Sequence, residues 1–131
     1  MKTILIGFGD ISSKHLEVLN ELNCEIVGIF SRDYEYTKLE GQKLGNTKIF
    51  QTIEEAMNID CDFFVIMTSA EHNCNVLKQL IPLKKPILIE KPVGFSSKEL
   101  DDVIKLNKNF STPVMVGANR RFYSIFHLAL D

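Results

Sequence analysis

The sequence predicts a doubly wound α/β fold, with six parallel strands in the order 3-2-1-4-5-6 and helices on both faces. Three observations carry that prediction. Short apolar runs rich in Ile, Val and Phe alternate along the chain with stretches of helical period. Most of these runs lack the apolar/polar alternation of a half-exposed strand, so both faces of the sheet are expected to be covered. The first run ends in a turn with two glycines that opens directly into a helical stretch.

The strand runs are residues 3–6, 25–30, 48–50, 62–67, 86–89 and 113–116. Between them lie helical stretches at 11–22, 34–44, 53–58, 70–80 and 96–107. In the first stretch Ile11, His15, Val18, Leu19 and Leu22 recur at helical spacing and predict its inward face, with His15 as a packing residue. In the last stretch Leu100, Val103, Ile104 and Leu106 do the same. Ser96 followed three residues later by Glu99 forms a capping box. Residues 119–131 read as the start of a further helix carrying Phe122, Ile125, Phe126 and Leu130. The organisation expected is one domain over 1–118 and the beginning of a linking helix over 119–131.

Composition narrows the function classes. A chain of 131 residues with 45% apolar and 24% charged residues suits one folded core and argues against disorder. The net charge of −2 provides no basic field for nucleic acid, and the pairs Lys84-Lys85 and Arg120-Arg121 are too small for a polyanion footprint. Cys24, Cys61 and Cys74 form no C-x-x-C pair, so they read as reduced thiols with no metal site. The first apolar run is too short for a signal peptide, and no run reaches membrane-spanning length. A cytoplasmic protein is expected.

In a sheet of this order, ligands bind beyond the carboxyl ends of the strands, where the strand order reverses. The chemistry-bearing residues of the sequence cluster just there. Gly7-Phe8-Gly9-Asp10-Ile11-Ser12 follows the first strand and leads into a helix. Such a turn lets the backbone approach a pyrophosphate, whose charge the helix amides hold. Ser12 stands where a third glycine is usual, and it is small enough for close helix–strand contact. Otherwise the glycines are ordinary turn residues.

After the second strand come Ser31, Arg32 and Asp33. A hydroxyl and a cation there suit the extra phosphate of NADP, whereas an acidic residue at that position would grip the ribose of NAD. Asp33 is either that acid or the N-cap of the helix that follows, and Arg32 either reads the phosphate or stacks on adenine. Thr68, Ser69 and His72 follow the fourth strand, and Glu90, Lys91 and Pro92 follow the fifth. For Glu90 and Lys91 the alternative is a solvated turn, and for His72 a ring in solvent at a helix start.

These motifs, with Gly117-x-Asn119-Arg120-Arg121-Phe122, occur in the order and spacing of a known family. Together they resemble the N-terminal Rossmann domain of the glucose–fructose oxidoreductase / inositol dehydrogenase (Gfo/Idh/MocA) oxidoreductases. The resemblance implies hydride transfer between a nicotinamide cofactor and a hydroxyl or ketone carbon of a sugar or cyclitol, and Ser31 and Arg32 make NADP the preferred cofactor over NAD. It implies that Lys91 reaches the reacting carbons, aimed by an often cis Lys91–Pro92 peptide and supported by Glu90. Thr68 and His72 then border the cofactor, His72 as a second catalytic candidate, and Arg121 lies near a domain junction with Asn119. The candidate cofactor residues are Gly7, Phe8, Gly9, Asp10, Ile11, Ser31, Arg32, Thr68, Ser69, His72, Glu90, Lys91, Asn119 and Arg121.

The chain departs from the family in Ser12, in Ser69 where Pro is common, and in lacking the family's second, substrate-binding domain. It is therefore expected either to be part of a longer protein or to be naturally short. The isolated chain is expected to be nearly inactive and to form a homo-oligomer, with the dinucleotide and a missing or separate substrate domain as its partners. The alternative is a non-enzymatic module that binds a dinucleotide or docks on a partner.

Overall fold

The computed structural model describes residues 1–123. Its strands are β1 (Lys2–Ile6), β2 (Glu25–Phe30), β3 (Lys48–Phe50), β4 (Phe63–Ile66), β5 (Ile87–Ile89) and β6 (Val114–Val116). The helices are α1 (Ser12–Glu21), α2 (Tyr34–Gly41), α3 (Ile53–Met57), α4 (Ala70–Leu80) and α5 (Ser97–Lys108). All strands pair in parallel, in the order β3-β2-β1-β4-β5-β6. The predicted fold class is the observed one, and the switch point lies between β1 and β4.

The central strands explain why the pattern was readable. Ile4, Leu5 and Ile6 of β1 and Phe64, Val65 and Ile66 of β4 are wholly buried. Alternate residues serve opposite faces, as the two-residue repeat of a strand requires. Ile4, Ile6, Phe64 and Ile66 pack with Val76, Leu77 and Leu80 of α4 and Val103 of α5. Leu5, Val65 and Ile29 pack with Leu19 of α1 and with Met67. Each fully buried apolar side chain of this size contributes about 1.5–3 kcal/mol, so these inner strands anchor the core.

Helix ends follow local side-chain chemistry. Asp33 accepts a hydrogen bond from the Tyr36 amide at 3.0 Å, which makes it the N-cap of α2. Thr52 caps α3 through the Glu55 amide. Ser96 and Glu99 form the expected reciprocal box at the start of α5. Each such cap is worth about 1 kcal/mol.

Two expectations about helix faces need correction. On α1, Ile11, Val18 and Leu22 are exposed, while Ser12 and Leu19 are buried and His15 and Leu16 half-buried. The inward stripe is thus 12, 15, 16 and 19, which keeps His15 and Leu19 and is turned by roughly 65° from the predicted one. The cause is Ser12, whose small side chain lets the helix start press against the turn after β1. On α5, Val103 is buried and Leu100 and Leu106 pack on the core, but Ile104 is exposed.

The stretch expected to open a further helix begins as a 3-10 turn over Asn119–Phe122, and Tyr123 is extended (φ −72°, ψ 138°). Ala118, at the N-cap, offers no side-chain acceptor for its first amides. Ile125, Phe126 and Leu130 lie outside the described residues. Among those described, no helix is long and apolar enough to cross a membrane. The three cysteines are free thiols. Burial pushes Cys61 and Cys74 above the ordinary value of 9.0, so both stay protonated at neutral pH.

Candidate functional site

A cleft of about 400 Å³ opens at the carboxyl ends of the strands, at the switch point. The turn after β1 contributes Gly7, Phe8 and Gly9, and the end of β2 contributes Phe30, Ser31 and Arg32. Met67, Thr68 and Ser69 follow β4 on its other side. His72, Asn75, Val76 and Gln79 of α4, with Ile53 of α3, complete the lining.

The two glycines of the turn do different jobs. Gly7 has φ +95°, and a Cβ there would lie 2.7 Å from the Met67 carbonyl carbon. Its amide donates to the Phe30 carbonyl at 2.7 Å. Gly7 is therefore glycine because β1 and β4 leave no room for a side chain. Gly9 has nothing within 4 Å of the place a Cβ would take. It faces open space beside the start of α1. Ser12 ties this turn down, since the Gly9 amide donates to Ser12 Oγ and the Ser12 amide donates to the Gly9 carbonyl, both at 2.9 Å. No side chain caps α1 at Ile11, so the positive end of the helix dipole is left to whatever binds beside the turn.

At the end of β2, Arg32 is exposed on the rim of the cleft. Asp33 Oδ1 accepts its cap bond from the Tyr36 amide, so the N-cap role is the one seen for Asp33.

The segment after β4 connects the cleft to the next loop. Thr68 Oγ1 donates to Asn73 Oδ1 at 2.6 Å. Asn73, only 1% exposed, donates from Nδ2 to the Pro92 carbonyl at 2.8 Å and to the Glu90 carbonyl at 3.4 Å. His72 Nε2 lies 3.0 Å from Glu71 Oε1, but off the line of a hydrogen bond. This buried ring nitrogen is left without a hydrogen-bond partner.

Glu90, Lys91 and Pro92 form a separate rim beyond β5, with a cis Lys91–Pro92 peptide. Lys91 is exposed and does not line the cleft. Glu90 Oε1 lies 2.8 Å from His15 Nε2, and Glu90 Oε2 accepts from the Lys91 amide at 3.2 Å. His15 is thus hydrogen-bonded to Glu90 and is not the plain packing residue expected of it. Its aromatic ring sits where packing was predicted, but its polar nitrogen finds an acceptor on another element.

Of the candidate residues, the structure gathers Gly7, Phe8, Gly9, Ser31, Arg32, Thr68, Ser69 and His72 around one cleft. Asp10 lies on the far side of the turn with Ser12, Ser13 and Tyr36, and Ile11 is exposed at the helix start. Asn119 is exposed in the 3-10 turn, and the Arg121 side chain lies outside the described atoms. Sequence reasoning missed Asn73. Its signal was a polar residue on the apolar stripe it shares with Val76, Leu77 and Leu80. Among the described residues, no three His, Cys, Asp or Glu side chains gather as a metal site requires.

A parallel sheet of this order, with a glycine turn at its first crossover and a cleft at its switch point, defines a Rossmann-type nucleotide-binding domain. The model of the Gfo/Idh/MocA oxidoreductase family, described as an NAD-binding Rossmann fold, matches residues 1–118, and the chain belongs to that family. It is 20% identical, over 97% of its length, to an uncharacterized protein of Saccharomyces cerevisiae, of which it covers 38%.

Among solved structures it resembles the WlbA dehydrogenase of Chromobactrium violaceum, in complex with NADH and UDP-GlcNAcA, with a TM-score of 0.89 at 15% identity. That match covers 98% of this chain and 38% of WlbA. It also resembles GenD2 of gentamicin A biosynthesis, in complex with NAD, with a TM-score of 0.86 at 21% identity. There the coverage is 98% of this chain and 37% of GenD2. The chain therefore spans less than two-fifths of the length of these three relatives.

Proposed function

We propose that this chain is the cofactor half of an NAD(P)-dependent oxidoreductase, acting on a sugar- or cyclitol-type hydroxyl or ketone. Residues 1–118 are its dinucleotide domain, and residues 119–131 begin the connection to a substrate domain, on this chain or a separate one. The observation that carries the reading is the open space over Gly9, beside the uncapped start of α1 and continuous with the cleft. Backbone amides and a helix dipole that face such a space fit a pyrophosphate. The unpartnered Nε2 of His72 is a second fit, because a bound polar group would satisfy it.

In this reading Gly7, Phe8, Gly9, Asp10 and Ile11 hold the phosphates. Ser31 and Arg32 hold the adenine ribose, while Thr68, Ser69 and His72 flank the middle of the cofactor. Glu90 and Lys91 border the nicotinamide end, with Asn119 and Arg121 beyond them. When bound, a nicotinamide supplies the hydride acceptor or donor. The contribution of Lys91 is an ammonium that holds or moves a proton at the substrate oxygen, with His72 as the second candidate for that role.

The sugar-type substrate is supported by WlbA, whose structure holds a nucleotide sugar beside NADH. Orienting a substrate accounts for roughly 7–11 kcal/mol of a barrier, so residues 1–131 taken by themselves, with no substrate domain beside them, would be nearly inactive. Its home is the cytoplasm, where nicotinamide cofactors and free thiols coexist.

NADP is the preferred cofactor, because Asp33 is committed to capping α2 and Arg32 is the charged side chain left at the rim. Arg32→Ala is expected to weaken NADPH by roughly 1.5–3 kcal/mol more than NADH. The enhancement of reduced-nicotinamide fluorescence on binding measures both affinities. Equal losses would mean that Arg32 stacks on adenine and reads no phosphate.

The chain also self-associates, with a second copy on the surface that carries Met115 of β6 and Tyr123. These two side chains are 59% and 55% exposed among the described residues. Exposed apolar side chains grouped on one surface mark an interface. Light scattering over a micromolar range is expected to give a dimer that Met115→Glu/Tyr123→Glu dissociates. A monomer at every concentration, or a dimer indifferent to the two charges, overturns this.

A further inference from the structure

Dinucleotide sites of this topology are long, and their two ends lie on different elements. Here the pyrophosphate end is the turn into α1, and the proposed nicotinamide end is the Glu90–Pro92 loop after β5. One side-chain contact joins them. His15, one turn into α1, donates from Nε2 to Glu90 Oε1 at 2.8 Å. A carboxylate only accepts, so the shared proton sits on the imidazole. The contact is shielded, with the two side chains 17% and 22% exposed. Glu90 Oε2 accepts from the Lys91 amide at 3.2 Å, so the same carboxylate engages both His15 and the main chain of the residue that follows it. Gly117, after β6, closes the other side: a Cβ there would come within 3.4 Å of the Glu90 carboxylate.

The loop has a second support of a different kind. Asn73 holds the carbonyls of Glu90 and Pro92, and is itself held by Thr68. Those bonds fix the main chain on either side of Lys91 but leave the Glu90 side chain free to rotate. Among the described bonds to that side chain from another element, His15 supplies the one that fixes it. Without it, the carboxylate would be free to turn to solvent and release the Lys91 amide.

We propose that His15 is a positioning residue, which locks the Glu90 carboxylate and through it the Lys91 main chain in register with the phosphate-binding start of α1. The proposal rests on the reading of the Glu90–Pro92 loop as the nicotinamide edge. It assigns His15 no contact with the dinucleotide itself. Its effect is therefore confined to ligands that carry the nicotinamide.

That confinement is the test. The whole chain is titrated calorimetrically with NADH and with ADP-ribose, which keeps the adenine, riboses and pyrophosphate but lacks the nicotinamide. His15→Ala is expected to weaken NADH about five- to tenfold, part of what a charge-assisted hydrogen bond is worth, and ADP-ribose less than about twofold. His15→Gln, whose Nε2 carries a donor at similar reach, is expected to restore NADH to within about twofold of the parent. His15→Asn, polar but too short to reach Glu90, is expected to behave as Ala does. It stands in if the Ala variant fails to fold, which its retained ADP-ribose binding would otherwise exclude.

Equal losses on both ligands, an unchanged NADH affinity, or a Gln variant no better than Ala would overturn the proposal. The reading beneath it fails in a different way. A parent chain that binds ADP-ribose as tightly as NADH removes the loop from the nicotinamide, and the role of His15 with it. A parent that binds neither removes the dinucleotide site itself.

Discussion

Replacing Gly9 with Val is expected to abolish dinucleotide binding while leaving the fold intact. The position has no neighbour within 4 Å to clash with a new side chain, so the protein itself loses little. The isopropyl group instead fills the space beside the start of α1 that a pyrophosphate needs. A weakening on the order of a hundredfold or more, about 2.7 kcal/mol, is expected. The melting temperature should stay within about 5 °C of the parent. Titration with NADPH beside a thermal melt separates the two effects. A Val variant that binds like the parent would move the phosphate site elsewhere.

Replacing Gly7 with Ala is expected to do the reverse. A methyl group there would sit 2.7–2.8 Å from the backbone of Met67 and Thr68, just past the end of β4, and backbone cannot swing aside as a flexible side chain can. The φ of +95° adds backbone strain that L side chains rarely bear. Together these cost about 3–5 kcal/mol, a large share of the stability of a domain this size. For a chain of this length the melting temperature should fall by roughly 10–20 °C. Circular dichroism on heating measures it. A Gly7→Ala variant that melts with the parent would mean that β1 and β4 do not approach this closely.

The contrast between these glycines shows where the sequence was legible and where it was not. Strand order, the glycine turn, the capping box at Ser96 and the cap at Asp33 are written in short stretches of chain. Their causes are local: alternating periods, a helix start, a carboxylate three residues before an amide. Gly7 and Gly9 look alike in sequence, and only the nearness of β4 distinguishes them.

The face of α1 was misread for a related reason. Ile11, Val18 and Leu22 satisfy the helical spacing, but the close approach at Ser12 turns the helix and leaves them exposed. His15 and Asn73 owe their roles to partners 75 and 17–19 residues away, a separation that no periodicity reports. Lys91 illustrates the opposite limit. Its motif is recognisable, yet it stands on a rim outside the main cleft, where the sequence alone offers no neighbours to describe.

The cleft at the β1–β4 switch point is proposed to take a nicotinamide dinucleotide. Calorimetric titration of the unmodified chain with NADPH and then NADH tests it most directly. The predicted result is saturable binding of one dinucleotide per chain, tighter for NADPH than for NADH. No heat of binding from either cofactor at millimolar concentration, in a chain shown by circular dichroism to be folded, would contradict it.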